Sequence, residues 1–205
     1  LSSLADGPIA AALRAASASS PLEWLSLGAG LCYALLAIRR SRWCWAFGAL
    51  SSGILVWLAW QARLPMQAAL QVCYVLLSVW GFRQWSIGGD GSLPRISTWP
   101  LRAHLALLSI VVLLGLLLAP MVEAKTAAAW PRLDTITMLA SLLATWMVTA
   151  AKLENWLYWI VIDAVSVFLY AAQQLWFVAL LYLLYLGIAI SGYATWRRRW
   201  REARA

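Results

Sequence analysis

Seven long apolar stretches divide this chain, roughly Trp24–Ile38, Trp43–Trp60, Met66–Phe82, Leu101–Ala119, Leu133–Ala150, Asn155–Ala172 and Trp176–Trp196. Most come near the ~20 residues that a helix needs to cross a bilayer, and the short first one borrows from Pro21–Glu23. A membrane barrel would show alternating segments of about ten residues, and that pattern is absent, so each stretch reads as a helix that satisfies its own backbone hydrogen bonds. With 63% hydrophobic and 12% charged residues, too little polar surface is left to cover a water-soluble globule. An all-α membrane protein of seven transmembrane helices is therefore expected. Residues 1–20 are small and polar, interrupted by Asp6, Gly7, Pro8 and Arg14. No basic segment precedes an apolar core there, so this is expected as a flexible or surface-lying lead-in and not a signal peptide.

Twelve basic residues fall on one side of the expected spans: Arg39, Arg40, Arg42, Arg83, Arg95, Arg102, Lys152, Arg197, Arg198, Arg199, Arg201 and Arg204. Four fall on the other: Arg14, Arg63, Lys125 and Arg132. The positive-inside rule then puts the C-terminus in the cytoplasm and the N-terminus outside. The net charge of +8 is mostly topology, with a basic tail lying beside anionic lipid, and nucleic acid is not an expected partner. Trp24, Trp60, Trp99 and Trp130 are assigned to interfacial belts. Cys32, Cys44 and Cys73 show no CxxC and are read as packing residues. His104 starts the fourth span without a Cys or acidic partner, so no metal site and no cofactor are expected.

An offset of 111 positions pairs Gly81 with Gly192, Tyr74 with Tyr185, Phe82 with Tyr193 and Trp85 with Trp196. One span earlier it pairs Trp45 with Trp156 and Ser52 with Asp163. One offset serving two consecutive spans without a gap indicates a duplication. The expected architecture is two parallel three-helix repeats joined by a linking helix, 3+1+3. Residues 21–86 form the first bundle, 87–125 a loop and the linking helix, 126–196 the second bundle and 197–205 the basic cytoplasmic tail. Equivalent helices are four spans apart, so the copies point the same way, and a solute is expected between the halves near mid-membrane.

The sixth stretch carries the chemistry. At 100° per residue, Lys152, Asn155, Trp156, Trp159, Asp163, Ser166 and Tyr170 fall within an arc of roughly 100°. A charged side chain at mid-bilayer costs at least ~2.5 kcal/mol on insertion scales, so the stripe should face a wet cavity or a polar partner. The competing reading is that Asp163 and Asn155 only bond neighbouring helices. Span 3 offers a facing arc of Gln71, Tyr74, Ser78, Phe82 and Trp85, and span 7 repeats it with Tyr182, Tyr185, Tyr193 and Trp196. Aromatic faces suit a flat ring, above all a cationic one, amides read hydrogen-bonding groups, and a carboxylate balances positive charge. The expected solute-binding residues are Gln71, Tyr74, Ser78, Asn155, Trp156, Trp159, Asp163, Tyr182 and Tyr185.

The segments "ENWLYWIVIDAVSVFLY" and "LLYLLYLGIAISGYATW", with "EWLSLGAGLCYALLAIRRSRWCWAFG" and "LQVCYVLLSVWGFRQW" in the first half, resemble the PnuC family of bacterial vitamin transporters from about Leu22 to Trp200. The resemblance implies a seven-helix fold similar to that of SWEET sugar transporters, assembly as trimers in the bacterial inner membrane, and uptake of nicotinamide riboside by facilitated diffusion. A cytoplasmic kinase would make uptake one-way by phosphorylating the solute. Carried over by position, it favours Asn155, Trp156, Trp159 and Asp163 together with Gln71 and Tyr74 as cavity residues. Family members often have YGW where this chain has Trp80-Gly81-Phe82, Asn or Gln at Ser78, and Gln at Thr145. Relatives take thiamine, riboflavin or deoxyribonucleosides; thiamine, also a cationic aromatic, is the alternative solute, and a non-transporting receptor the alternative class. A retinal-type photoreceptor would need a lysine within its last span, yet Lys125 and Lys152 sit at loop positions. An intramembrane enzyme is not expected either, because HExxH, GxSxG and paired intramembrane aspartates are absent.

Overall fold

A computed structural model describes residues 7–86, 93–124 and 130–204. They form α1 (Pro8–Ala18), α2 (Pro21–Arg39), α3 (Cys44–Gln61), α4 (Pro65–Gln84), α5 (Leu101–Glu123), α6 (Pro131–Thr149), α7 (Asn155–Ala172) and α8 (Trp176–Glu202). Six of them, α2–α5, α7 and α8, are long and apolar enough to cross a membrane. α6 is as long as α2 but carries Arg132, Asp134 and five Ser or Thr residues. Four of those hydroxyls bond back to their own helix, Thr135 to the Pro131 carbonyl at 2.6 Å, and Thr137, Ser141 and Thr149 to Leu133, Met138 and Trp146 at 2.7 Å. Their polarity is thereby absorbed locally and the helix can still be packed. Within the expected lead-in, Pro8–Ala18 is helical.

The helices start where the sequence says they should. Prolines occupy the first position of α1, α2, α4 and α6, where a missing N–H costs nothing. Before α2, the Ser20 hydroxyl accepts from the Glu23 N–H while the Glu23 carboxylate accepts from the Ser20 N–H, a reciprocal capping box.

The helix ends share a less expected device. Arg40, Arg63, Ala151 and Gln174 have φ of 61°, 58°, 49° and 61°, a left-handed conformation usually left to glycine. In each case that residue's N–H bonds the carbonyl three positions back and the next N–H bonds one five positions back, as in Arg40 to Ala37 and Ser41 to Leu36. Arg40 and Ala151 lie 111 positions apart, as do Arg63 and Gln174. The same offset relates both ends of α3 to both ends of α7, and the start of α4 to the start of α8. Burial follows it too: Trp45 and Trp156, Ser52 and Asp163, and Trp85 and Trp196 are buried, whereas Leu50 and Val161, and Trp57 and Phe168, are exposed.

The chain divides into two compact units. One takes in α1, Thr98–Ala144 and Trp156–Ile190. In it His104 Nδ1 lies 3.0 Å from the Tyr158 hydroxyl, and the Trp99 ring tilts against the imidazole at 5.9 Å. The other comprises Ser19–Ser97, Thr145–Asn155 and Ser191–Ala205. There α2 packs on α3, and α3 on α4. The Trp45 indole lies flat against Gly81, where a Cβ would come within 2.4 Å of the ring, and Trp85 meets Trp45 edge-on at 5.5 Å. A strap at 93–97 fastens to two turns of this unit. The Arg40 guanidinium donates to the Pro94 carbonyl. Ser97 exchanges backbone bonds with Ala151 and Leu153, and its hydroxyl accepts from Lys152 Nζ at 2.9 Å. Burial first, then the nearby Arg199 guanidinium, lowers the Arg40 pKa from its ordinary value.

Trp24, Trp60 and Trp130 are exposed, in keeping with interfacial belts, while Trp99 is half-buried against His104. Cys44 is packed as expected, but Cys32 and Cys73 are exposed. They lie on the outward faces of α2 and α4, where an apolar thiol can meet lipid as readily as protein.

Candidate functional site

α7 presents two faces. Leu157, Val161, Ala164 and Phe168 are exposed, whereas Asn155, Trp156, Asp163 and Ser166 are buried and Trp159 and Tyr170 half-buried. The polar-aromatic arc read from the sequence is thus the inward face, and the apolar arc is left for lipid. Asp163 is 2% exposed and makes no hydrogen bond or ion pair among the described residues. Asn155 is 0% exposed; its amide donates to the Lys152 carbonyl at 2.5 Å, while its Oδ1 has no hydrogen-bond donor among the described residues. Buried polar groups in folded proteins are nearly always paired, so two unsatisfied acceptors on one helix face need an explanation, and a ligand supplies one.

The expected residues sort between the two units. Trp156, Trp159, Asp163, Tyr182 and Tyr185 belong to the first. There the Tyr182 and Tyr185 rings lie 6.4 Å apart. Gln71, Tyr74, Ser78 and Asn155 belong to the second. Gln71 and Ser78 are buried and Tyr74 half-buried, all on the inward face of α4 with Ala68, Gly81 and Trp85.

The second unit also assembles a polar-aromatic cluster that the sequence reading did not select. The Tyr33 ring tilts against Trp45 at 5.7 Å, and Gly48 lets both Tyr33 and Ser78 close in, since a Cβ there would stand 3.0 Å from each. The Tyr33 hydroxyl and the Trp45 indole N–H are both buried without a hydrogen-bond partner among the described residues. The 111 offset flagged Trp45 through Trp156, but it pairs Tyr33 with Ala144, so no repeat signal pointed to Tyr33.

Long apolar helices whose inward faces hold a carboxylate, an unsatisfied amide and many aromatic rings define a multi-pass membrane protein with a polar interior. Among the described residues no group of three or more His, Cys, Asp or Glu side chains could hold a metal ion. The chain belongs to the PnuC family: residues 20–198 match the family model described as nicotinamide mononucleotide transporter. It is 23% identical over 211 residues to the nicotinamide riboside transporter PnuC of Escherichia coli (strain K12), with 88% of each chain covered. To the riboflavin/roseoflavin transporter RibM of Streptomyces davaonensis it is 26% identical over 179 residues, covering 84% of this chain and 83% of that one. The crystal structure of a vitamin B3 transporter PnuC shares the fold, with a TM-score of 0.69 at 20% identity over 88% of this chain and 82% of that one. The protein is therefore a membrane vitamin transporter, not an enzyme.

Proposed function

We propose that the solute is nicotinamide riboside, carried into the cytoplasm by facilitated diffusion and retained there through phosphorylation by a cytoplasmic kinase. The observation that carries this reading is Asp163, a buried carboxylate without a counter-ion among the described residues. A pyridinium ring supplies the missing positive charge and a flat face for the aromatic side chains. Thiamine offers the same two features and is the alternative. Riboflavin, named for the Streptomyces relative, is uncharged and would leave Asp163 uncompensated. The nine residues proposed to hold the solute are Gln71, Tyr74, Ser78, Asn155, Trp156, Trp159, Asp163, Tyr182 and Tyr185.

The constant offset of helix bounds, left-handed turns and burial supports two parallel copies, α2–α4 and α6–α8, joined by α5 as the linking helix. The charge bias supports a cytoplasmic C-terminus, and the family resemblance supports trimers in the inner membrane. Sparse ionisable groups at membrane depth favour passive exchange over a coupled pump.

The test is uptake into liposomes holding the purified protein, with nicotinamide riboside, thiamine and riboflavin offered in turn. Nicotinamide riboside should equilibrate and stop at equal concentrations, indifferent to an imposed pH or sodium gradient. Preferential uptake of another vitamin overturns the solute, accumulation driven by a gradient overturns the passive mechanism, and binding without movement makes the chain a receptor.

A further inference from the structure

The strap at 93–97 ends on the turn that leads into Asn155, one of the residues proposed to hold the solute, and Ser97 and Asn155 belong to the same unit. The Ser97 N–H donates to the Ala151 carbonyl at 3.1 Å, the Leu153 N–H donates to the Ser97 carbonyl at 2.9 Å, and Lys152 Nζ donates to the Ser97 hydroxyl at 2.9 Å. Three residues earlier the Pro94 carbonyl accepts from the Arg40 guanidinium. The Leu153 N–H and the Lys152 carbonyl share one planar trans peptide and so point opposite ways. With the N–H fixed on the strap, the carbonyl is turned away from it. There it accepts from the Asn155 side-chain Nδ2 at 2.5 Å and from the Asn155 backbone N–H at 3.2 Å. The amide nitrogen is thereby anchored, and Oδ1, buried and without a donor among the described residues, remains the unsatisfied atom.

We propose that Ser97 is a positioning residue for solute recognition: through the strap it sets the direction of the Lys152 carbonyl, which anchors the Asn155 amide so that Oδ1 accepts from the solute's carboxamide N–H. This rests on the reading above that Asn155 holds the solute and that the solute is nicotinamide riboside. Oδ1 only accepts, so it pairs with an N–H or O–H and gives nothing to a ketone or a carboxylate. A buried acceptor left unpaired is costly, which is how such a site rejects an analogue that lacks the donor. Starting the helix does not call for the strap. In the first copy the equivalent turn, Arg40–Arg42, has the same left-handed residue, and the Cys44 N–H bonds the Ser41 carbonyl at 3.0 Å as the Asn155 N–H bonds that of Lys152. That turn takes no backbone bond from the strap, and a cysteine stands where the second copy has Asn155. The backbone clamp and the amide thus occur together, at the one turn of the two where the solute is proposed to bind.

The experiment uses the full chain with nicotinamide riboside and its acetylpyridine analogue, which keeps the charge, ring and ribose but has a methyl group in place of the carboxamide nitrogen. Affinities for both are read by calorimetry on the purified parent, Ser97→Thr, Ser97→Ala and Ser97→Pro, with the melting temperature of each. The parent should prefer the carboxamide by at least ~10-fold. Ser97→Pro removes the N–H that bonds Ala151 and should bring that preference below about 3-fold. Ser97→Ala keeps the backbone bonds, gives up only the Lys152 contact, and should lower the preference about 2-fold or more, so it carries the test where proline prevents folding. Ser97→Thr keeps both and should match the parent. A strap that only stabilises the fold would weaken both ligands alike and leave their ratio at the parent value in the proline and alanine variants, which overturns the positioning role. Equal parent affinities for the two probes overturn the acceptor role of Asn155 while the solute reading stands. If the parent binds neither probe, the solute reading itself fails and this proposal with it.

Discussion

Trp85 and Trp196 hold each other's neighbours. The Trp85 indole N–H donates to the Thr149 carbonyl at the end of α6 at 3.0 Å, and that of Trp196 to the Ile38 carbonyl near the end of α2 at 3.1 Å, with the two rings 6.3 Å apart. The donors are 111 positions apart and so are the acceptors, in the opposite sense. The residue after α4 therefore ties off α6, and α8 ties off α2, each satisfying a terminal carbonyl that helix geometry leaves open. Leaving a buried acceptor unmade costs roughly 1–3 kcal/mol, which in a chain of this size corresponds to about 3–10 °C in melting temperature. Trp85→Phe and Trp196→Phe should each lower the detergent melting temperature by that amount, and the double variant should deviate from the sum of the two. Independent, additive losses would mean that the two bonds do not form one junction.

Gly81 should tolerate no side chain. A Cβ there would stand 2.4–2.6 Å from three atoms of the Trp45 indole, whereas Gly28, Gly53 and Gly187 have nothing within 4 Å of theirs. Overpacking of this kind costs about 1–3 kcal/mol or more, so Gly81→Ala should lose folded yield and melting temperature while Gly53→Ala stays close to parent. Equal behaviour of the two variants in thermal unfolding would show that the Trp45 contact is loose.

The left-handed turns run the other way. Arg63 and Gln174 are exposed and hold φ of 58° and 61°, a conformation that favours glycine by about 1–2 kcal/mol per residue. After the entropy that glycine adds to the unfolded chain, Arg63→Gly and Gln174→Gly should each stabilise by roughly 0.5–1 kcal/mol. A lowered melting temperature in both would indicate that their side chains do something the backbone account omits.

How far the sequence reaches depends on which signal each feature leaves. Hydropathy located the helices, six of which are long and apolar enough to cross a membrane, while the fifth expected stretch, α6, is helical but more polar than the rest; α7 begins and ends where its polar and apolar residues change over. The 111 offset pairs tryptophans of like burial, Trp45 with Trp156 and Trp85 with Trp196, all inside, while of the belt assignments Trp24, Trp60 and Trp130 lie outside and Trp99 is half-buried. Left-handed turns at Arg40, Arg63, Ala151 and Gln174 were illegible because the usual glycine is missing from all four. Cys32 and Cys73 misled because lipid makes an outward thiol as acceptable as an inward one. Tyr33 was passed over since it shares no arc with the α7 stripe; its place in a cluster arises from Trp45 and Ser78, which other helices bring to it.

The central claim is that Asp163 offsets a positive charge on the solute. Asp163→Asn keeps the volume and most of the hydrogen bonding while removing the charge, so calorimetry on the purified variant with nicotinamide riboside and its uncharged dihydropyridine form isolates that one term. The account predicts that the cation loses affinity at least ~10-fold, about 1.4 kcal/mol, while the uncharged form changes by less than about 2-fold and the melting temperature holds. Equal losses for both ligands, accompanied by a lowered melting temperature, would contradict it and assign Asp163 to helix packing.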